Sequence, residues 1–340
     1  MRVLLALSVL VVALVLVALR WEHEPALLHL RHPAKTSLVA GAALIPHGDF
    51  AYDPSLVDSS QGAHEESRSE AEALHRGAIA SGGVLASLDI DLALVITPHG
   101  VTSERDAGFY TSESAAGFVD IGLDLHNSFF ETYRDSVEVP LDVELSRKVA
   151  KDLRGKKVTE LRVWCETEPF PLRWGEVIPL LLTREGGFRP KTYIILSLPL
   201  RRGVPVSSMV PEMRRLGRAI RRSLDRERFA VIVSGDLAHA HLADGPYGAS
   251  ATADPFEAAV GTWLRNISNT DALLKDAKNL VDTALSCGFL GLVLLLGILE
   301  EDKSSFTNAT PVVGPFHPTY YGMATASYLP THSPRKNNNK

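Results

Sequence analysis

The chain is predicted to be an α/β protein, a three-layer α/β/α fold around a mostly parallel or mixed central sheet, with an N-terminal transmembrane helix added. Three observations predict this. Continuous apolar runs alternate with amphipathic stretches of helical period, the pattern of strands covered on both faces. Three of those runs end in histidine, in IPHG (45–48), TPHG (97–100) and SGDLAH (234–239). Residues 3–19 carry one hydroxyl, Ser8, and no charge, which is at the short end of a bilayer-spanning helix.

The N-terminal run ends in Ala18, Leu19, Arg20 and Trp21, a poor cleavage site for a secretory signal. A single-pass signal anchor over 1–20 is expected, with secretion after cleavage as the alternative. Basic residues stand on both sides, Arg2 before and Arg20, Arg31 and Lys35 after, so charge does not choose an orientation. A linker over 21–36 follows. Strands are expected in SLVAGAALIPHG (37–48), DLALVITPHG (91–100), TYIILSLPL (192–200), FAVIVSGDLAHAH (229–241) and TYYGMATASYL (319–329). Helices are expected over 64–88, over 214–227 with a solvated cationic face, and over 254–267, and the stretch 271–301 reads as helical. The uncharged stretch 284–299 contains Gly288, Gly291 and Gly297 and reads as a buried core helix rather than a second span. The globular domain is placed at 37–330 and a disordered tail at 331–340.

Composition narrows the function. The 340 residues are 45% hydrophobic and 22% charged, which excludes an intrinsically disordered chain. Thirty-five basic and 40 acidic residues give a net charge of −5. With no basic domain, nucleic acid is not an expected partner. Cys165 and Cys287 are the only cysteines and form no disulfide framework; pairing and a separate role for one thiol both stay open.

Ligands of open α/β sheets bind at the carboxyl ends of strands, so His47, His99 and His239 could converge there. Imidazole is the commonest neutral metal ligand, and two histidines with one anion suit non-haem iron(II). Cys287 opens an apolar helix, where a thiolate is favoured and its pKa lowered. Asp282 lies five residues earlier. Asp236 and His241 flank His239; the Asp could orient the imidazole, though capping the next turn is the plainer role. His317 precedes the last strand and is a site neighbour. His64 and His75 read as solvated.

The motifs together resemble the LigB-like superfamily, which holds the class III extradiol ring-cleavage dioxygenases and the Memo proteins. The resemblance rests on LIPHGDF (44–50), LVITPHG (94–100), VIVSGDLAHAHLADGPYG (231–248), LSCGFLGLVLL (285–295) and YYGMATASYL (320–329). It implies metal ligation by His47 and His99, and acid/base chemistry by His239. Cys287 takes the third ligand place if the Memo pattern holds. The dioxygenases use a glutamate there, and no Glu lies between Lys275 and Leu299. Their D-H-G-x-x-x-P-L stretch aligns with Arg173 to Leu180, where Trp174 replaces the histidine. Glu176 could supply the missing proton-transfer group; the plainer reading makes Trp174 a packing residue and Glu176 a solvated loop residue. The implied cofactor is Fe(II), with copper or zinc open. The implied partners are a small aromatic, catechol-like substrate and O2; the N-terminal apolar run adds a membrane, and a homodimer is also open. A Memo-like, copper-binding redox or interaction protein is the alternative.

Overall fold

The computed structural model describes residues 38–101, 103–119, 135–164, 168–302 and 304–331. The expected anchor at 1–20, the linker at 21–36, Cys165 and the tail beyond 331 lie outside them. Among the described residues, no helix is long and apolar enough to cross a membrane.

The strands in chain order are β1 (Leu38–Ile45), β2 (Leu92–Thr97), β3 (Ala107–Tyr110), β4 (Ser114–Phe118), β5 (Ser136–Pro140) and β6 (Val158–Leu161). They continue with β7 (Phe170–Pro171), β8 (Thr192–Ser197), β9 (Arg228–Ser234), β10 (Phe306–Asn308), β11 (Val313–Phe316) and β12 (Met323–Pro330). The main helices are α1 (Ser67–Ala86), α2 (Val143–Asp152), α3 (Trp174–Glu185), α4 (Val206–Ser223), α5 (Ala253–Arg265) and α6 (Phe289–Asp302).

A nine-stranded mixed sheet runs β10-β12-β1-β9-β2-β8-β3-β6, with β11 paired to β12. Its centre, β1-β9-β2-β8, is parallel, and β12 and β3 border it antiparallel. A second sheet, β5-β4-β7, has three strands. Successive residues of the central strands point to opposite faces. Leu44, Leu94, Ile96, Val231 and Val233 pack with α4, α5 and α6. Ala43, Ile45, Ala93, Val95 and Ile232 pack with α1 and α3. Helices therefore flank the sheet on both faces, and the strands are buried on both, as their unbroken apolarity requires.

Two expected elements come out differently. The helical stretch over 271–301 is interrupted. A π turn, a 3-10 turn and the helical turn Val281–Ala284 lead to Leu285 in the left-handed region (φ 59), and α6 starts only at Phe289. The strand expected to reach His241 ends at Ser234. Beyond it the chain follows other partners: Leu237 N–H donates to Gly322 O and His239 N–H to Ala284 O.

The cationic face of α4 is paired, not merely solvated. Arg214 and Arg218 bind Glu300, Arg221 binds Asp302 and Arg222 binds Glu301, all on α6. The helices approach closely. A Cβ on Gly297 would lie 2.2 Å from the Arg214 carbonyl oxygen, and one on Gly217 2.1 Å from that of Leu294. This pairing accounts for the glycine within so apolar a stretch, which is the buried core helix expected from the sequence. Ala is the better helix former by about 1 kcal/mol, so Gly297→Ala would stabilise an uncrowded helix. Here it should instead destabilise by about 1–3 kcal/mol, read as a lower denaturant midpoint.

Candidate metal centre

Three loops meet at the carboxyl end of the sheet because β1, β9 and β2 run parallel in register. Ile45 stands opposite Ser234, and Val233 opposite Ile96. His47, Asp236 and His99 follow these ends within a few residues.

His47 is 2% exposed. Its Nδ1 lies 2.8 Å from Ser234 Oγ. That hydroxyl donates its one proton to the Gly175 carbonyl, so Nδ1 must bear the hydrogen and donate to Ser234. Nε2 is left with a lone pair, facing Cys287 Sγ at 3.4 Å and Asp236 Oδ2 at 3.3 Å. Asp236 Oδ1 also accepts the His47 N–H at 3.1 Å. This is the ligand arrangement in which an outer hydrogen bond sets the metal-binding nitrogen.

His99 sits edge-to-face against His47, ring centroids 4.8 Å apart. Its other neighbour is the Trp174 indole, stacked at 5.2 Å, on which the Arg173 guanidinium lies in turn at 4.7 Å. Thr97 Oγ1 accepts the His99 N–H at 3.1 Å. Gly175 permits the approach of α3: a Cβ there would lie 2.7 Å from that of His99.

Cys287 arrives from the break between Leu285 and α6. Ser286 Oγ and the Gly288 N–H both donate to the Asp236 carbonyl, at 3.1 and 2.9 Å. A side chain on Gly288 would strike Gly235 and the Asp236 oxygen, at 2.8–3.0 Å. The metal-competent atoms of His47, His99 and Cys287 lie within 4.8 Å of one another, as do those of Asp236, His239 and Cys287. His239 Nδ1 bonds the Leu237 carbonyl at 3.1 Å, which only accepts, so Nε2 is the basic atom. Tyr321 stacks on the His239 ring at 5.7 Å and Tyr247 meets it edge-on at 5.5 Å.

Burial governs the charges. It pushes the imidazoles of His47 and His99 down to about 3, neighbouring cations adding to the effect. It raises Asp236 to about 6 against the pull of His239 and two backbone N–H groups. It drives the Cys287 thiol well up, and the Asp236 charge adds. The lowered pKa expected for Cys287 is thus overturned: desolvation outweighs the helix terminus. A divalent cation reverses this logic by favouring neutral imidazole, carboxylate and thiolate together. The nitrogen, sulfur and oxygen donors fit such a metal.

Residues 41–325 match the family described as the catalytic LigB subunit of aromatic ring-opening dioxygenase. The chain belongs to that family. His47, His99, His239 and Cys287 all lie within the matched region. Protein CA_C1420 of Clostridium acetobutylicum is 25% identical over 272 residues, 77% of this chain and 52% of that protein. The chain thus spans about half the length of the curated relative it matches. A crystal structure of the uncharacterized protein JW3007 from Escherichia coli K12 covers 85% of this chain and 99% of its own, with TM-score 0.47 and 14% identity.

Other sequence-predicted residues fall elsewhere. Asp282 is not beside the histidines; its carboxylate accepts the N–H and hydroxyl of Ser207 at the start of α4. The carboxylate that reaches them is Asp236, held to the His47 loop instead of capping a turn. Glu176 is neither solvated nor free for proton transfer: it is fully buried. Tyr110 O–H donates to Oε1 at 2.6 Å and the Arg173 N–H to Oε2 at 2.9 Å. A side chain on Gly100 would collide with this Tyr110–Glu176 pair, so the pair underlies the loop carrying His99. His241 and His317 stack on each other, centroids 4.1 Å apart. His75 bonds the Ala51 carbonyl at 2.9 Å. Sequence reasoning did not single out Ser234 or Tyr321, although both sit inside the quoted motifs.

Ser234→Ala leaves His47 Nδ1 without its partner and should weaken metal binding about 10–100-fold, measured by chelator competition. Burial raises Glu176 to about 7 from an ordinary carboxyl value. Folding then favours the protonated form: its contribution is complete below the unfolded pKa and is lost as pH rises through about 7. The melting temperature of the wild type should therefore fall relative to Glu176→Gln between pH 5 and pH 8, by up to about 3 kcal/mol in stability.

Proposed function

We propose that this protein is a membrane-anchored, Fe(II)-dependent extradiol-type dioxygenase that opens catechol-like rings with O2. The observation that carries the reading is the His47–His99–Cys287 donor set at the sheet edge, inside a region that matches the ring-opening family. The apolar segment 3–19 supports the anchor.

His47 Nε2, His99 and Cys287 would hold the metal, with Asp236 the adjoining carboxylate. Iron(II) there would supply a Lewis-acidic, redox-active centre shared by the diol and O2. His239 takes the substrate hydroxyl proton at Nε2 and returns it to the product, its ring held by Leu237 and the two tyrosines. Trp174, covering one face of His99, excludes water from that side. One diol and one O2 give one ring-opened acid, both oxygen atoms entering the product, so no external reductant is needed.

A second reading is favoured by Cys287 standing where the dioxygenases use glutamate, and by Trp174 replacing their histidine. Thiolate with imidazole also suits copper, which fits a Memo-like copper-binding redox or interaction protein.

The test uses full-length protein loaded anaerobically with Fe(II) and offered a catechol panel. O2 uptake matched by ring-opened product is expected. His239→Ala should keep its metal and lose turnover about 10²–10⁴-fold, while His47→Ala loses the metal. Tight copper binding with no O2 uptake on any catechol would overturn the dioxygenase reading in favour of the second.

A further inference from the structure

Glu257 lies in α5, 4% exposed, behind the segment that carries His239. A carboxylate is costly to bury, and burial raises this one against the pull of His241, His317 and the Ala238 N–H. Hydrogen bonds offset the cost. Oε1 accepts the Ala238 N–H at 3.3 Å and faces His241 Nε2 at 2.9 Å. The other ring nitrogen, Nδ1, faces Asp254 Oδ1 at 3.3 Å. Carboxylate oxygens accept, so both nitrogens carry hydrogens and His241 is an imidazolium between two carboxylates.

Two chain segments meet against Glu257. Leu237 N–H donates to Gly322 O at 2.7 Å, Gly322 N–H to Ala238 O at 2.7 Å, and His241 N–H to Tyr320 O at 3.2 Å. The Ala238 N–H goes to Glu257 instead. Gly322 is pressed against the same carboxylate: a Cβ there would lie 1.5 Å from Oε1. The His239 ring depends on this ladder twice. Its Nδ1 bonds the Leu237 carbonyl at 3.1 Å, and Tyr321, the residue before Gly322, stacks on it at 5.7 Å.

We propose that Glu257 is a positioning residue for His239. Held by His241, it locks the 237–239 backbone against Tyr320–Gly322, and so keeps the His239 ring bonded at Nδ1 and basic at Nε2. The proposal rests on His239 being the proton-transfer group of the reaction proposed above. A neutral imidazole has two tautomers, and the bond made by one nitrogen decides which is present. If the 237–239 peptides relax, the Leu237 carbonyl leaves Nδ1 and the basic nitrogen is no longer fixed.

The experiment compares full-length wild type with Glu257→Ala and Glu257→Gln in two readouts. Imidazole ¹⁵N spectra at pH 8, taken before Fe(II) loading, should show His239 as the Nδ1–H tautomer in wild type and as a mixture of tautomers in Glu257→Ala. Glu257→Gln keeps an oxygen for the Ala238 N–H and should restore the wild-type signal. With Fe(II) and a catechol that the wild type opens, Glu257→Ala should lower kcat about 10–100-fold, with KM and metal content unchanged and most of kcat recovered in Glu257→Gln. Should Glu257→Ala fail to fold, Glu257→Leu fills the space without accepting a hydrogen bond and should show the same mixing. A Glu257→Ala or Glu257→Leu protein that melts lower yet keeps a pure Nδ1–H signal for His239 would overturn the proposal and leave Glu257 a structural group. Tautomer mixing in a protein whose wild type opens no catechol would uphold the positioning and sink the dioxygenase reading alone.

Discussion

The centre depends on three parallel strands ending level with one another. With Ile45 beside Ser234 and Ile96 beside Val233, the loops after β1, β2 and β9 leave the sheet at one height. A slip of one residue in β9 would turn Ser234 to the opposite face and take away the acceptor of His47 Nδ1. Strand pairing thus does more than build the core. It selects which imidazole nitrogen is free, and the position of Asp236 depends on the same register.

The second constraint is electrostatic. Two imidazoles, a carboxylate and a thiol stand together, His47 and Asp236 buried and His99 and Cys287 half-buried. In isolation, burial drives each toward its neutral form. Such a cluster is poorly suited to be an ion pair, since desolvation costs more than a pair at this spacing returns. It suits a divalent cation, which brings the missing positive charge and makes the anionic forms of Asp236 and Cys287 favourable.

The departures from the ring-cleaving pattern have physical causes of the same kind. Trp174 is not idle packing; its indole lies flat on His99 and closes that side of the centre. Glu176 gives its two oxygens to Tyr110 and the Arg173 N–H, so it anchors the start of α3 and the loop of His99. His239 stands beside the donor atoms of Asp236 and Cys287. The break before α6 has a comparable cause: without left-handed Leu285 and the close approach of Gly288, Cys287 would lie inside a helix and away from Asp236.

Much of this was legible in the sequence by itself. Unbroken apolar runs separated by helical periods determined an α/β fold with a buried sheet. Three histidines placed just after strands determined that they would gather at one edge, because parallel strands end on the same side. Cys287 was legible as a ligand candidate, but its titration was not, since burial is a property of the packed chain. Only the tertiary structure decided that Asp236, not Asp282, reaches the histidines, that Glu176 is enclosed, and that His241 and His317 pair with each other. Those outcomes join residues far apart in the chain through backbone turns such as 285–288. Local periodicity carries no information about where such a turn will point a side chain.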